Sequence, residues 1–207
     1  FALGSAERIE VLRGPFSALY GNAAGGVIAV ETMDGPGVPT AEADLLFGSY
    51  RTWRSALKFG GQGSGVNTIG DVSRFETNGY RDHSAVTRDH LNAKLKVGEF
   101  TVVANSLHQP DTQDPLGLTR AQLERDPRQA TPEALQFNTK KSISQDQVGG
   151  TLRHPLGEGR VEAMVYVGQR GVQQFLAIPV ATQNAAARCA GSATWRACAC
   201  PRAPSTT

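Results

Sequence analysis

Between Ala41 and Gly171 one pattern repeats: apolar and polar residues alternate with period two, in blocks of about ten separated by turn-forming residues. The clearest block is His90 to Val97, where Leu91, Ala93, Leu95 and Val97 alternate with His90, Asn92, Lys94 and Lys96. Side chains of a strand point to opposite faces in turn, so this block has one apolar and one polar face. Trp53, Leu57 and Phe59 alternate in the same way with Arg54, Ala56 and Lys58. Val148, Gly150 and Leu152 alternate with Gln147, Thr151 and Arg153, and Val161, Ala163, Val165 and Val167 with Glu162, Met164 and Tyr166. Stretches 42–49, 66–76 and 99–108 alternate less cleanly and also read as strands, giving about seven in all. A membrane helix needs ~18 consecutive apolar residues, and the longest apolar stretches, around Val27 to Val30 and Leu176 to Ala181, are far shorter. A membrane β-barrel stays open, because alternating strands give no hydropathy peak.

The connections sharpen this. Outer-membrane barrels have short turns at one rim and longer loops at the other. Gly60 to Gly65, Val97 to Glu99 and Pro155 to Gly159 read as short turns, Asn78 to Val86 as a polar loop, and Gln109 to Ser142 as a very long one. Ser49 to Thr52 is short where a long loop is expected. A structureless connection beyond ~15 residues is uncommon in a compact soluble domain. Within the long one, Thr119 and Gln122 form a capping-box pair, Leu118 and Leu123 are spaced as a hydrophobic staple, and Pro127 follows Asp126 as a stop. These signals predict a short helix near 120–125. Thr131-Pro132-Glu133 repeats the start signal, with little helix-forming sequence after it.

Charge and cysteine content narrow the function classes. The chain has 207 residues, with 21 basic and 19 acidic groups. Three arginines (Arg188, Arg196 and Arg202) and no acid lie beyond Ala185, so the rest is almost neutral. That argues against nucleic acid as a partner, which needs a basic face to neutralise phosphates. Cys189, Cys198 and Cys200 all fall in the same tail, and the cysteine-free body suits an exported protein. The sequence starts at Phe1, and no signal peptide is visible. No Walker loop, nucleophile elbow, HExxH or CxxC is present, so no catalytic residue, metal or cofactor is expected. The run Gly60 to Gly65 lacks the following helix that phosphate binding requires, and reads as a turn.

The N-terminal block reads Ala6-Glu7-Arg8-Ile9-Glu10-Val11-Leu12-Arg13-Gly14-Pro15-Phe16-Ser17-Ala18-Leu19-Tyr20-Gly21-Asn22-Ala23-Ala24-Gly25-Gly26-Val27-Ile28-Ala29-Val30-Glu31-Thr32. It suggests a strand, a break at Gly14-Pro15, one helical turn ended by Gly21, a corner at Gly25-Gly26, and a second strand. The string closely resembles the end of the plug domain of TonB-dependent outer-membrane receptors, just before the first barrel strand. Phe47-Gly48-Ser49-Tyr50, the stretch Ser73 to Ser84, and Leu91-Asn92-Ala93-Lys94-Leu95 are similar to early barrel strands of these receptors. The resemblance covers roughly residues 6 to 180.

It implies an all-β chain: about seven strands of a transmembrane antiparallel barrel of about 22 strands, preceded by the end of an α/β plug. Residues 1–34 would end the plug, 41–180 would begin the barrel, and 185–207 would be a frameshifted or disordered tail. The implied function is uptake of a ferric siderophore or a similarly scarce ligand across the outer membrane of a Gram-negative bacterium. Its partners would be the TonB complex, the ligand and outer-membrane lipid. Most of the plug, the TonB box and the later strands are missing from this sequence, so it is expected not to transport as it stands. Ligand contacts would come from the loops: Arg81, Asp82 and His83 in one, His108, Asp111 and Asp114 in the other. An arginine suits an anionic chelate, and carboxylates with imidazole suit a metal, though solvated loops carry the same residue types. Trp53, Tyr80 and Tyr166 are candidates for an aromatic girdle or for strand packing. Two other readings remain: a soluble all-β binding module, for instance for carbohydrate, and a β-rich hydrolase with a converging carboxylate pair.

Overall fold

The computed structural model describes residues 4–14, 25–157 and 159–178. They form two antiparallel sheets. A two-stranded hairpin comprises β1 (Ala6–Arg13) and β2 (Gly26–Thr32). A seven-stranded sheet follows: β3 (Thr40–Gly48), β4 (Thr52–Gly63), β5 (Val66–Thr77), β6 (Val86–Val97), β7 (Phe100–Gln113), β8 (Lys140–Leu156) and β9 (Gly159–Phe175). Each strand pairs with its neighbours in sequence, so the sheet is a pure up-and-down meander, the topology of a barrel wall. Two short helices, α1 (Arg120–Arg125) and α2 (Pro132–Gln136), lie between β7 and β8. The all-β expectation of seven strands holds. The helical turn expected before Gly21 and the tail from Ala185, with its cysteines, lie outside the described residues.

Register assigns every side chain to a face, because directly paired residues point the same way. Leu57, Val72 and Leu91 form one cross-strand row, and Phe59, Gly70, Ala93, Ala104, Val148 and Val167 the next. On the opposite face run Lys58, Asp71, Asn92, Asn105 and Gln147. The apolar face is uncovered: Leu95 is 44% exposed and Val167 54%, whereas the only buried hydrophobic residues described are Ile69, Ala130 and Ala134. Burying one such side chain is worth about 1.5–3 kcal/mol, so a face of this extent needs an apolar neighbour. Aromatic rings cover its glycines. A Cβ on Gly70 would lie 2.8 Å from the Phe59 ring, which fills the space a side chain would occupy.

The apolar belt also reports how the strands are inclined. Its loop-side limit is Phe47 in β3 and Val167 in β9. Following the register from Val167 through Val148, Ala104, Ala93, Gly70 and Phe59 leads back to Ala41, six residues from Phe47. The belt therefore slips an average of one residue per strand step. With a rise of about 3.3 Å per residue and about 4.8 Å between strands, that is a tilt of about 35° to the belt normal. Barrel strands tilt by this amount.

The rims alternate as expected. Short turns after Gly63, Val97 and Leu156 share one end, and the loops 78–85 and 114–139 the other. The short β3–β4 connection now has an explanation: Tyr50 (φ 60°) and Arg51 (φ 55°) are both left-handed, the backbone of a tight two-residue hairpin, closed by Thr52 N–H donating to the Ser49 carbonyl at 3.1 Å. The long loop is shorter than the expected 109–142. Backbone pairing of β7 with β8 continues past a bulge between Gln109 and Thr112, out to Gln113 and Lys140. Beyond the belt there is no apolar environment to match, so alternation stops while hydrogen bonding goes on.

Candidate functional site

Loop 114–139 has a small core of its own, in which Ala130, Thr131, Ala134 and Thr139 are buried. Its helices start as the sequence dictates. Gln122 N–H donates to Thr119 Oγ1 at 3.3 Å while Thr119 N–H donates to Gln122 Oε1 at 2.8 Å, a complete capping box. Ala134 N–H donates to Thr131 Oγ1 at 3.2 Å at the head of α2.

The loop between β5 and β6 clamps this unit. Arg81 donates from Nε and Nη2 to the Gln129 carbonyl at 3.0 and 2.9 Å, from Nη1 to Leu116 at 2.6 Å, and from Nη2 to Pro115 at 3.1 Å. Asp82 N–H donates to the Arg128 carbonyl at 2.7 Å. His83 Nε2 lies 2.8 Å from the Thr139 carbonyl, so that nitrogen carries a proton. Asp114 Oδ1 accepts from Leu116 N–H at 2.9 Å. Four of the six expected ligand residues thus converge on one structured cap. The other two are in β7: Asp111 pairs with Lys140 at 2.8 Å, and His108 lies on the apolar-side face beside Asp89 and Ser144. No group of three or more His, Cys, Asp or Glu able to hold a metal occurs among the described residues.

The sequence did not reveal a neighbouring cluster. Tyr50 and Tyr80 meet edge to face, with centroids 5.5 Å apart, and the Arg128 guanidinium sits 5.5 and 6.0 Å from the two rings. It joins three separate connections, which no spacing rule links. The girdle expectation is corrected for two residues. Tyr80 stands in this loop cluster, and Tyr166, paired with Gly149, falls on the polar face because it alternates with Val165 and Val167. Trp53 is on the apolar-side face, with Nε1 donating to Glu76 Oε2 at 3.2 Å.

The N-terminal hairpin and the linker after it lie against the polar face. Ser5 Oγ donates to the Asp71 carboxylate and accepts from Asn92 Nδ2 at 2.5 Å; all three residues are buried. Gly35 N–H donates to Asn67 Oδ1 at 2.7 Å, and Asn67 Nδ2 returns a bond to the Gly35 carbonyl at 2.8 Å. Lys94 Nζ donates to the Thr32 carbonyl at 2.6 Å and meets Asp34 at 2.7 Å, and Lys96 meets Asp34 at 2.9 Å. Hydrogen bonds from Lys94 and then Lys96 hold the Asp34 carboxyl below its ordinary range. A crevice of about 430 Å³ runs along this seam, with Glu7, Glu31 and Asp34 facing Lys94, Lys96 and Arg153.

A tilted up-and-down sheet, apolar on one face and polar on the other, with a hairpin against its polar face, has the form of an arc of a β-barrel wall. No family model matches the chain. Among solved structures, the crystal structure of the ferric citrate transporter FecA in its unliganded form shares this fold, with a TM-score of 0.64 and 23% sequence identity over 84% of this chain. The matched region is 28% of that transporter chain.

Proposed function

We propose that these strands are the first part of the barrel wall of an outer-membrane uptake receptor, with residues 1–34 as the end of its plug and 41–180 as its opening strands. The observation that carries this is the two-faced sheet: its apolar face is uncovered, and the N-terminal hairpin occupies the polar one. A soluble binding module would bury that apolar face in a closed core, and the described residues contain none. The proposed cargo is a ferric siderophore or a similar scarce chelate, taken up with energy from the TonB complex, and FecA, a ferric citrate transporter, supports that class of ligand. The cap formed by 114–139 and its clamp at Arg81, Asp82 and His83 is the proposed ligand-facing rim.

Seven strands alone do not transport. Among the described residues β3 and β9 are open sheet edges, and each unpaired backbone group in hydrocarbon costs several kcal/mol. The test is to express this chain with an export signal in a Gram-negative host and fractionate the membranes. Inclusion bodies or degradation are expected for the chain alone, and insertion when the strands of a complete barrel are supplied. A heat-modifiable, protease-resistant band from the chain alone would refute the claim that it needs further strands. A soluble monomer with a cooperative unfolding transition in the absence of detergent would refute the barrel reading itself.

A further inference from the structure

The wall does not stand equally high above its apolar belt. β3 ends at Gly48, one residue past Phe47 at the belt limit, whereas β9 runs eight residues past Val167, to Phe175. A rise of about 3.3 Å per residue at a tilt of about 35° gives about 2.7 Å of height per residue. By that measure the strands end ~3 Å above the belt at β3 and ~22 Å above it at β9. The polar layer on each side of a bilayer's hydrocarbon core is about 5–8 Å thick. The end of β9 clears such a layer, while Tyr50, at the tip of the β3–β4 hairpin, lies about 8 Å above the belt, at headgroup height.

At this low point of the rim the long loop leans in and three side chains meet. Tyr50 and Tyr80 are 42% and 47% exposed, and the Arg128 guanidinium lies over both rings. Backbone contacts fix their places. The Tyr50 carbonyl accepts from Asn78 N–H at 3.0 Å, and Arg128 N–H donates to Asp126 Oδ1 at 2.8 Å while its carbonyl accepts from Asp82 N–H. The neighbouring guanidinia are spoken for: Arg81 by carbonyls, Arg120 by Glu124 and Arg125 by Gln129. That of Arg128 is not; among the described residues it meets no carboxylate and gives no hydrogen bond, and only the rings hold it. Exposed Arg51, which follows Tyr50 in the turn, has no such partner among them either. An arginine held on aromatic faces keeps a planar fork of donors ready for an anion, and tyrosine suits a boundary that is apolar on one side and wet on the other.

We propose that Arg128, backed by Tyr50 and Tyr80 and flanked by Arg51, binds the phosphate group of a membrane lipid in the leaflet on the loop side. The inference rests on the barrel reading, which places the belt in hydrocarbon, and it involves no transported ligand. The tall side of the rim offers nothing comparable at headgroup height, because β7 to β9 carry their loop well above it.

Native mass spectrometry of the complete barrel in detergent tests the site, with dioleoylphosphatidic acid and dioleoylglycerol as probes that differ in the phosphate alone. The unmodified protein should retain the phosphatidic acid about fivefold better, Arg128→Gln should abolish the preference, and Arg128→Lys should keep part of it. The Arg128 side chain makes none of the bonds that hold the long loop, so tryptic cleavage after Arg120 and Arg125 should not change in Arg128→Gln. If that loop opens all the same, Arg51→Gln decides instead, since it lies outside the loop and should lower the preference about twofold. Equal retention of the two lipids, an unchanged preference in the deciding variant, or displacement of the phosphatidic acid by equimolar glycerol 3-phosphate would overturn the lipid site. Heat-modifiability of the same sample checks the barrel separately: a folded barrel without the preference refutes the site alone, and a chain that does not fold refutes the wall and the site together.

Discussion

Arg81 is the residue whose removal should change this structure most visibly. Its guanidinium makes four hydrogen bonds to the carbonyls of Pro115, Leu116 and Gln129, joining the start of the long loop to its middle. A hydrogen bond to a charged group is worth about 1.5–3 kcal/mol, but the site is only half-buried and water can reach some of the freed carbonyls. Local opening of 114–139 should therefore become easier by about 2–3 kcal/mol in Arg81→Ala, or ~30- to 150-fold in open population. Arg81→Lys should recover only part of this, because an ammonium cannot reproduce the planar fork. The loop carries its own reporters, since trypsin can cut after Arg120, Arg125 and Arg128 once it opens. Cleavage rates within threefold of the unmodified protein in Arg81→Ala would refute the clamp and leave Arg81 free to act as a ligand contact.

Three further outcomes follow from the same contacts. The folded pKa of Asp34 lies below its unfolded value of about 3.9, so its contribution to holding the hairpin is complete above that value and lost as pH falls through the folded one. Protection of 26–34, corrected for intrinsic exchange, should be constant between about pH 7 and 5 and fall only below about 3.9. Val165→Arg, on the apolar face, should lower the insertion stability of the complete barrel by about 2–4 kcal/mol in a lipid folding titration, whereas Thr101→Arg on the polar face should cost under about 1 kcal/mol. Gly35→Ala should unseat the linker, read as loss of protection at Gly35 itself, because its methyl has no room beside Thr68.

How much could be read in advance depended on whether the controlling interactions were local. Alternation at His90 to Val97 is a property of one strand, and it gave β6 with its two faces correctly assigned. The cap on α1 is likewise encoded within four residues, Thr119 to Gln122. Tyr166 was misassigned to the girdle from its residue type alone, although its place between Val165 and Val167 already puts it on the polar face. The ends of β7 and β8 were not, because pairing beyond the belt is set by the backbone of the partner strand. The hairpin seat was also hidden. Asn92, Lys94 and Lys96 announce a polar face, but nothing near them in sequence names Ser5, Thr32 or Asp34 as what that face would hold. Arg81 illustrates the same limit: its residue type suggests an anionic ligand, while the fold supplies carbonyls from a loop over thirty residues away.

The most direct test of a barrel wall is which solvent each face meets. With Cys189, Cys198 and Cys200 replaced by serine, spin labels placed singly at positions 91 to 97 of the complete barrel in lipid vesicles would report collision with oxygen and with a water-soluble nickel chelate. Positions 91, 93, 95 and 97 should favour oxygen, and 92, 94 and 96 should not, with a period of two. If 91, 93, 95 and 97 were shielded from both reagents, the apolar face would be packed in a closed protein core, and the barrel-wall reading would be contradicted.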